Sequence, residues 1–289
     1  MVTGVVWLFL AFVLIAAVAL VVVLAVFSRG TAPRSGHDGV RRVRQVITLA
    51  RVVAVVLAVR VVMDVSAVGA HGQGLALTPF VAAIVWVIGG IAAEMVTRSA
   101  LRDGGAVLEV RSLGRYLPRR GAVLLVFGIA LLVAAAVITT LAADPDGRSL
   151  SYTCGPNCHG TRSPWAGAFY TAPLAVAFVV LLVLVAVNVR LVVSRPRGRL
   201  DAPDQAADDA TRTSAVAATL LVVALAVAAT AAGLVMFSLL SPTFAPDTPA
   251  SVRVAMATTV ASLVIAVVSA TALAVTAFSP RQARTSLEA

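Results

Sequence analysis

The residues best suited to chemistry in this chain are Cys154, Cys158 and His159, written Cys154-Gly-Pro-Asn-Cys158-His159. Gly-Pro-Asn is turn chemistry, and two thiols on either side of a turn can close a small disulfide-bonded loop in an oxidising compartment. That is the expected state. Two thiols and His159, joined by His71, would also suit a tetrahedral metal centre. Covalent haem attachment normally uses Cys-x-x-Cys-His, and the spacing here is one residue too long. Unpaired thiols are the remaining possibility.

A second group is chemically conspicuous because its surroundings are apolar. Arg51, Arg60, Asp64 and Glu94 lie inside runs that are otherwise Ala, Val, Leu and Ile. Charge in such a setting usually faces a bundle interior or a wet cavity. Arg60 and Asp64 are four residues apart, on one helical face, and can pair. Arg51 and Glu94 fall at matching depths if their two runs form an antiparallel hairpin, and are expected to pair across it. These four charges read either as structural pairing or as part of an ion or proton path. No acidic relay continues through the later runs.

The rest of the sequence excludes more than it assigns. All 23 basic residues are Arg. Without Lys there is no Schiff base and no phosphate loop of the Walker type. Metalloprotease, nucleophile-elbow and dinucleotide-binding motifs are absent. The expectation is therefore a non-enzymatic protein without a cofactor. A net charge of +10 suggests nucleic acid at first sight. The arginines sit between apolar runs, however, not on a soluble basic face, so no nucleic-acid partner is expected.

The elements that must position these residues are set by hydropathy. Hydrophobic residues make up 60% of the chain, charged residues 12%, and the mean hydropathy is +0.98. A soluble domain carries roughly 25% charged residues. Lipid is the natural solvent for such an excess. Seven runs (about 4–27, 46–68, 78–96, 122–142, 167–187, 215–240 and 254–278) are long enough to cross about 30 Å of hydrocarbon at 1.5 Å per residue. Backbone groups in lipid must be satisfied within the segment, so the runs are helices. The fold class expected is an all-α, polytopic transmembrane helix bundle. Residues 1–280 form one domain and 281–289 a short tail.

Arg distribution orients the bundle. The segments 28–45, 98–120, 190–213 and 279–289 hold five, six, five and two Arg. The intervening segments 1–3, 70–77, 143–166 and 241–253 hold none, none, two and one. The Arg-rich side is cytoplasmic by the positive-inside rule. This places the N-terminus outside and the C-terminus in the cytoplasm of a plasma membrane, and the Arg-rich, Lys-free composition suggests a GC-rich bacterial source. The run 46–68 is the weakest span, because each mid-span charge costs about 2.5–3.5 kcal/mol on insertion scales. It inserts best as a hairpin with 78–96.

Two further expectations concern surroundings. Val110, Leu113 and Leu117 recur at helical spacing in the 98–120 loop, which suits contact with anionic lipid. Residues 28–45 and 190–213 read as solvated loops. Small residues (Ala224, Ala228, Ala257, Ala261, Ser262, Ala266 and Ala270) suit close helix packing. The function expected is binding or organising partners in the membrane, either a protein partner or a second copy. The alternative is a small-solute or ion transporter using the polar residues of the second and third runs.

Overall fold

A computed structural model describes residues 38–100, 113–155, 158–196, 202–239 and 250–278. The first apolar run, residues 101–112 of the expected lipid-contacting loop and the 281–289 tail lie outside the described residues.

Among the described residues six helices are long and apolar enough to cross a membrane. They are α1 (Asp38–Ser66), α2 (Gln73–Ala100), α4 (Arg119–Ala142), α5 (Ala168–Val193), α6 (Ala202–Leu239) and α7 (Ala250–Phe278), with a four-residue α3 (Leu113–Tyr116) before α4. They correspond to the second through seventh apolar runs. The protein is a helical, membrane-embedded bundle. Every helix except α5 starts earlier than its apolar run, because the flanking polar residues continue the helix beyond the hydrocarbon.

The bundle is built around α6. Its spanning window is 72% buried, against 11–33% for the other five. Ala, Val and Thr dominate it, and small side chains let neighbouring backbones come close. Helix α7 packs against both α6 and α4, while α2 packs against α1, α5 and α6.

The α4–α7 seam shows how this packing is encoded. Gly121, Leu125, Gly128, Leu132, Ala135 and Thr139 are buried on α4 at alternating spacings of four and three. Ser262 and Ser269 of α7 donate hydrogen bonds to the carbonyls of Gly128 (2.9 Å) and Gly121 (3.0 Å). A Cβ at Gly121 would come within 2.7 Å of the Leu273 side chain. Among the alanines expected to pack, Ala224, Ala228, Ala266 and Ala270 are buried, as is Ser262. Ala257 is exposed and Ala261 half-buried, so the contacting stripe is narrower than the sequence suggested.

At the end where Arg is sparse, residues 143–167 form a small cap. Strand β1 (Leu150–Gly155) pairs antiparallel with β2 (Cys158–Arg162). This hairpin was not legible as strands. Trp165 anchors it: the ring is 1% exposed, Nε1 donates to the Thr139 carbonyl at 2.9 Å, and Leu150 and Val252 pack on it. The Tyr170 hydroxyl donates to the His71 carbonyl at 2.8 Å, and Gln73 Nε2 to the Phe169 carbonyl at 2.8 Å. These bonds tie the α1–α2 turn to the start of α5.

That turn depends on glycine. A Cβ at Gly74 would lie 2.0 Å from the Val65 carbonyl oxygen and 2.2 Å from that of Val68. Both are backbone atoms and cannot rotate away. Gly74→Ala is therefore expected to lose the folded protein, at a cost of about 3 kcal/mol or more by analogy with overpacked cores. Gly128→Ala, whose added carbon meets nothing nearer than 3.6 Å, should be tolerated. Monodisperse yield after detergent extraction checks both. Equal yields of the two variants would contradict the assigned turn.

Candidate functional site

The intramembrane charges separate into two groups. Arg60 Nη2 meets Asp64 Oδ1 at 3.2 Å, one turn apart on α1, with the side chains 70% and 56% exposed. This pair does not face the bundle interior. Glu94, by contrast, is 3% exposed. Its Oε1 is 3.4 Å from Arg195 Nη1, in a segment expected to be a loop. Arg51 feels the Glu94 charge, but among the described residues no hydrogen bond or ion pair joins the two. Arg98, one turn beyond Glu94, also turns elsewhere, donating to the Leu191 carbonyl at 2.9 Å and to the Ser194 hydroxyl.

Arg195 belongs to a larger buried cluster. Its Nη2 donates to Asp208 Oδ1 at 2.8 Å, and Arg212 Nε donates to Asp208 Oδ2 at 2.8 Å. Arg195 and Arg212 are 1% and 0% exposed. The second guanidinium does further work. Arg212 Nη1 donates to the carbonyls of Val192 (3.1 Å) and Val193 (3.0 Å), and Nη2 to the carbonyl of Arg195 (2.9 Å). The last carbonyls of a helix have no partner within it. Arg212 supplies one from α6 and brings positive charge to the negative end of the α5 dipole.

The described parts of 190–213, residues 190–196 and 202–213, thus differ from the solvated loop that the sequence suggested, and 197–201 lie outside the described residues. Residues 202–213 continue α6, and Arg195, Asp208 and Arg212 are interior. Register explains the difference. Asp208 and Arg212 are four apart, so both fall on one face of α6 and pair there. A weaker signal pointed the same way, since Asp208-x-x-x-Arg212 leads into the apolar run without a helix breaker. The neighbouring Asp209 accepts from the Tyr116 hydroxyl (2.9 Å) and from Arg115 Nη2 (2.8 Å). Tyr116 is buried, so α3 is held by α6 through these bonds.

About two turns deeper, Asn188 Nδ2 donates to Thr219 Oγ1 at 2.9 Å. Gly90 makes room for it: a Cβ there would lie 3.2–3.3 Å from the Asn188 amide. Among the described residues Glu94 Oε2, Thr97 Oγ1 and Asn188 Oδ1 are buried without a hydrogen-bond partner. Arg195, Asp208, Arg212, Asn188 and Thr219 are the polar residues that the sequence reasoning did not single out.

The cysteine group lies in the cap, far along the chain from this cluster. Cys158 is disulfide-bonded, and the sequence holds one other cysteine, Cys154. His159 is exposed on β2 and pairs with Thr153 across the hairpin. His71 Nε2 contacts Arg148 Nη1, so its neighbour is a cation. Among the described residues no group of three or more His, Cys, Asp or Glu is placed to hold a metal ion. Nearby, Asp146 accepts from the backbone N–H groups of Arg148 and Ser149 (both 3.0 Å) and from the Ser149 hydroxyl (2.8 Å). The Arg148 N–H, followed by the Ser149 hydroxyl, holds this carboxyl below the usual aspartate range.

Comparison of the chain with protein-family models, with curated proteins and with solved structures finds no match. The cluster itself indicates what it can do. Two arginines and two carboxylates neutralise one another in a dry setting, and three helices meet there.

Two outcomes are expected. Arg212→Met should destabilise the protein by about 3–5 kcal/mol, because it removes the donor to Asp208 Oδ2 and to the carbonyls of Val193 and Arg195. Arg190→Met, at an exposed position, should stay within about 0.5 kcal/mol. Thermal unfolding in detergent reads both, and similar melting points would contradict the assignment. For the cap, a lowered aspartate pKa gives stability that is present above the unfolded-state value and lost as pH falls. The melting-point gap between the natural protein and Asp146→Ala should therefore be constant near neutrality and shrink below about pH 4. A gap unchanged at pH 3 would contradict it.

Proposed function

We propose that this chain is a seven-span plasma-membrane protein, with the N-terminus outside and the C-terminal tail cytoplasmic, that binds or organises a partner within the membrane and catalyses nothing. The alternation of Arg between successive connections supports the orientation. The observation that carries the partner-binding reading is the exposed Arg60–Asp64 pair on α1, the spanning helix with the least burial. Arg60 is six residues from the end of α1 at Ser66. That is about 9 Å inside the helix end at 1.5 Å per residue. Charge facing lipid there costs up to about 2.5–3.5 kcal/mol per residue. A protein surface lying on α1 removes that cost.

Transport through the polar residues of α2 is the second reading. The unpartnered oxygens of Glu94, Thr97 and Asn188 favour it, since a guest that donates hydrogen bonds or is a cation would satisfy them. Charge argues the other way. Arg195 already contacts Glu94, so this site carries its own cation.

Two experiments test the proposal. Cysteine introduced at Thr161 should react with an impermeant thiol reagent on intact cells, and cysteine at Gly114 should not; the reverse pattern would overturn the orientation. A photo-crosslinking side chain at Val56 or Met63 of α1 should give a protein adduct in native membranes. The same group at Val179 or Val183, exposed on α5, should give lipid adducts alone. Lipid adducts alone from α1 as well would overturn the partner-binding reading.

A further inference from the structure

We infer that the occupant of the exposed α1 face is α1 of a second copy of this chain, held by reciprocal Arg60–Asp64 pairing. This rests on the partner-binding reading and names the partner. Among the described helices α1 packs extensively on α2 alone. Its opposite face presents Val52, Val56 and Met63, 47–63% exposed, in line with Arg60 and Asp64. The spacing from 52 to 56, 60, 63 and 64 keeps these five residues on one stripe of the helix.

The charges on that stripe identify the occupant. The pair within one chain uses Arg60 Nη2 and Asp64 Oδ1. Arg60 keeps two further donor nitrogens and Asp64 a second oxygen, all on an exposed face. A surface that satisfies both must offer a carboxylate at the depth of Arg60 or one turn outward, and a cation at the depth of Asp64 or one turn inward. An uncharged lipid-facing helix offers neither. A second α1 offers both. In a two-fold dimer with its axis along the membrane normal the two α1 helices run parallel, and any residue i that contacts j is matched by j contacting i. Arg60 of each copy then lies one turn, about 5.4 Å, inward of Asp64 on the other. An arginine side chain spans that distance, and reaching outward is also the direction in which it snorkels. The apolar residues above and below close the contact, with Val52 and Val56 meeting their own counterparts.

Charge reversal in two tagged forms tests this on the full chain. Arg60→Asp places Asp at 60 and 64, and Asp64→Arg places Arg at both. Each variant alone should self-associate on the order of tenfold more weakly or worse, equivalent to about 1.4 kcal/mol. Co-expressed with different tags, the two should pair with each other at least as well as the natural protein does. The double variant Arg60→Asp/Asp64→Arg should recover self-association. Fluorescence energy transfer between labelled copies in nanodiscs or dilute liposomes reads all four. Recovery in the mixed pair excludes misfolding as the cause of loss in the single variants. Self-association unchanged in both single variants would overturn the inference, as would a mixed pair no stronger than either alone. If α1 crosslinks to a different protein while no self-association is found, the second copy is excluded and the partner-binding reading stands.

Discussion

Arg212 is the interaction on which the bundle depends. Its guanidinium donates to Asp208 and to the carbonyls of Val192, Val193 and Arg195, at and just beyond the end of α5. Without it the α5 terminus would be buried with unsatisfied acceptors, a state that costs several kcal/mol in an apolar medium. Asp208 neutralises Arg212 and at the same time holds Arg195, which reaches on to Glu94 of α2. One salt-bridged chain therefore joins α2, α5 and α6 at the Arg-rich end. Geometry makes it favourable: each guanidinium is planar and multidentate, so several acceptors are satisfied per charge buried.

The remainder of the bundle is held by different means. Toward α4 and α7 the contacts are small-residue packing with serine-to-carbonyl hydrogen bonds, which suit lipid because no hydrophobic drive operates between helices there. At the other, Arg-poor end Trp165, Tyr170 and the disulfide-bearing hairpin hold the helix ends together. Among the described helices α1 is the least attached. Its spanning window is 11% buried, and it carries charge on its outward face.

Much of this was legible in the sequence, and the gaps have physical causes. Six of the seven apolar runs correspond to spanning helices, because the length needed to cross hydrocarbon and the ban on unpaired backbone leave no other structure. The Arg60–Asp64 pair followed from spacing alone, as both members lie on one helix. The partner of Glu94 did not. Pairing Glu94 with Arg51 used only the α1–α2 hairpin, whereas Arg195 arrives from a segment about a hundred residues later. Depth matching cannot choose between candidates on helices whose neighbours are unknown. Local hydropathy likewise misread Arg195, Asp208 and Arg212: their charge is buried against other charge, and a window average registers it as solvent. The hairpin strands were hidden by their brevity, and by turn residues that suit a disulfide loop equally well.

Coupling between Asp208 and Arg212 tests the central claim, that a buried salt-bridged chain clasps the helices together, most directly. Unfolding free energies in mixed micelles would be measured for the natural protein, Asp208→Leu, Arg212→Met and the double variant. If the two residues act as one unit, the double variant is less destabilised than the sum of the singles by about 0.5–3 kcal/mol, since each single variant strands its partner. Additivity to within about 0.3–0.5 kcal/mol would contradict the account, because independent residues behave that way.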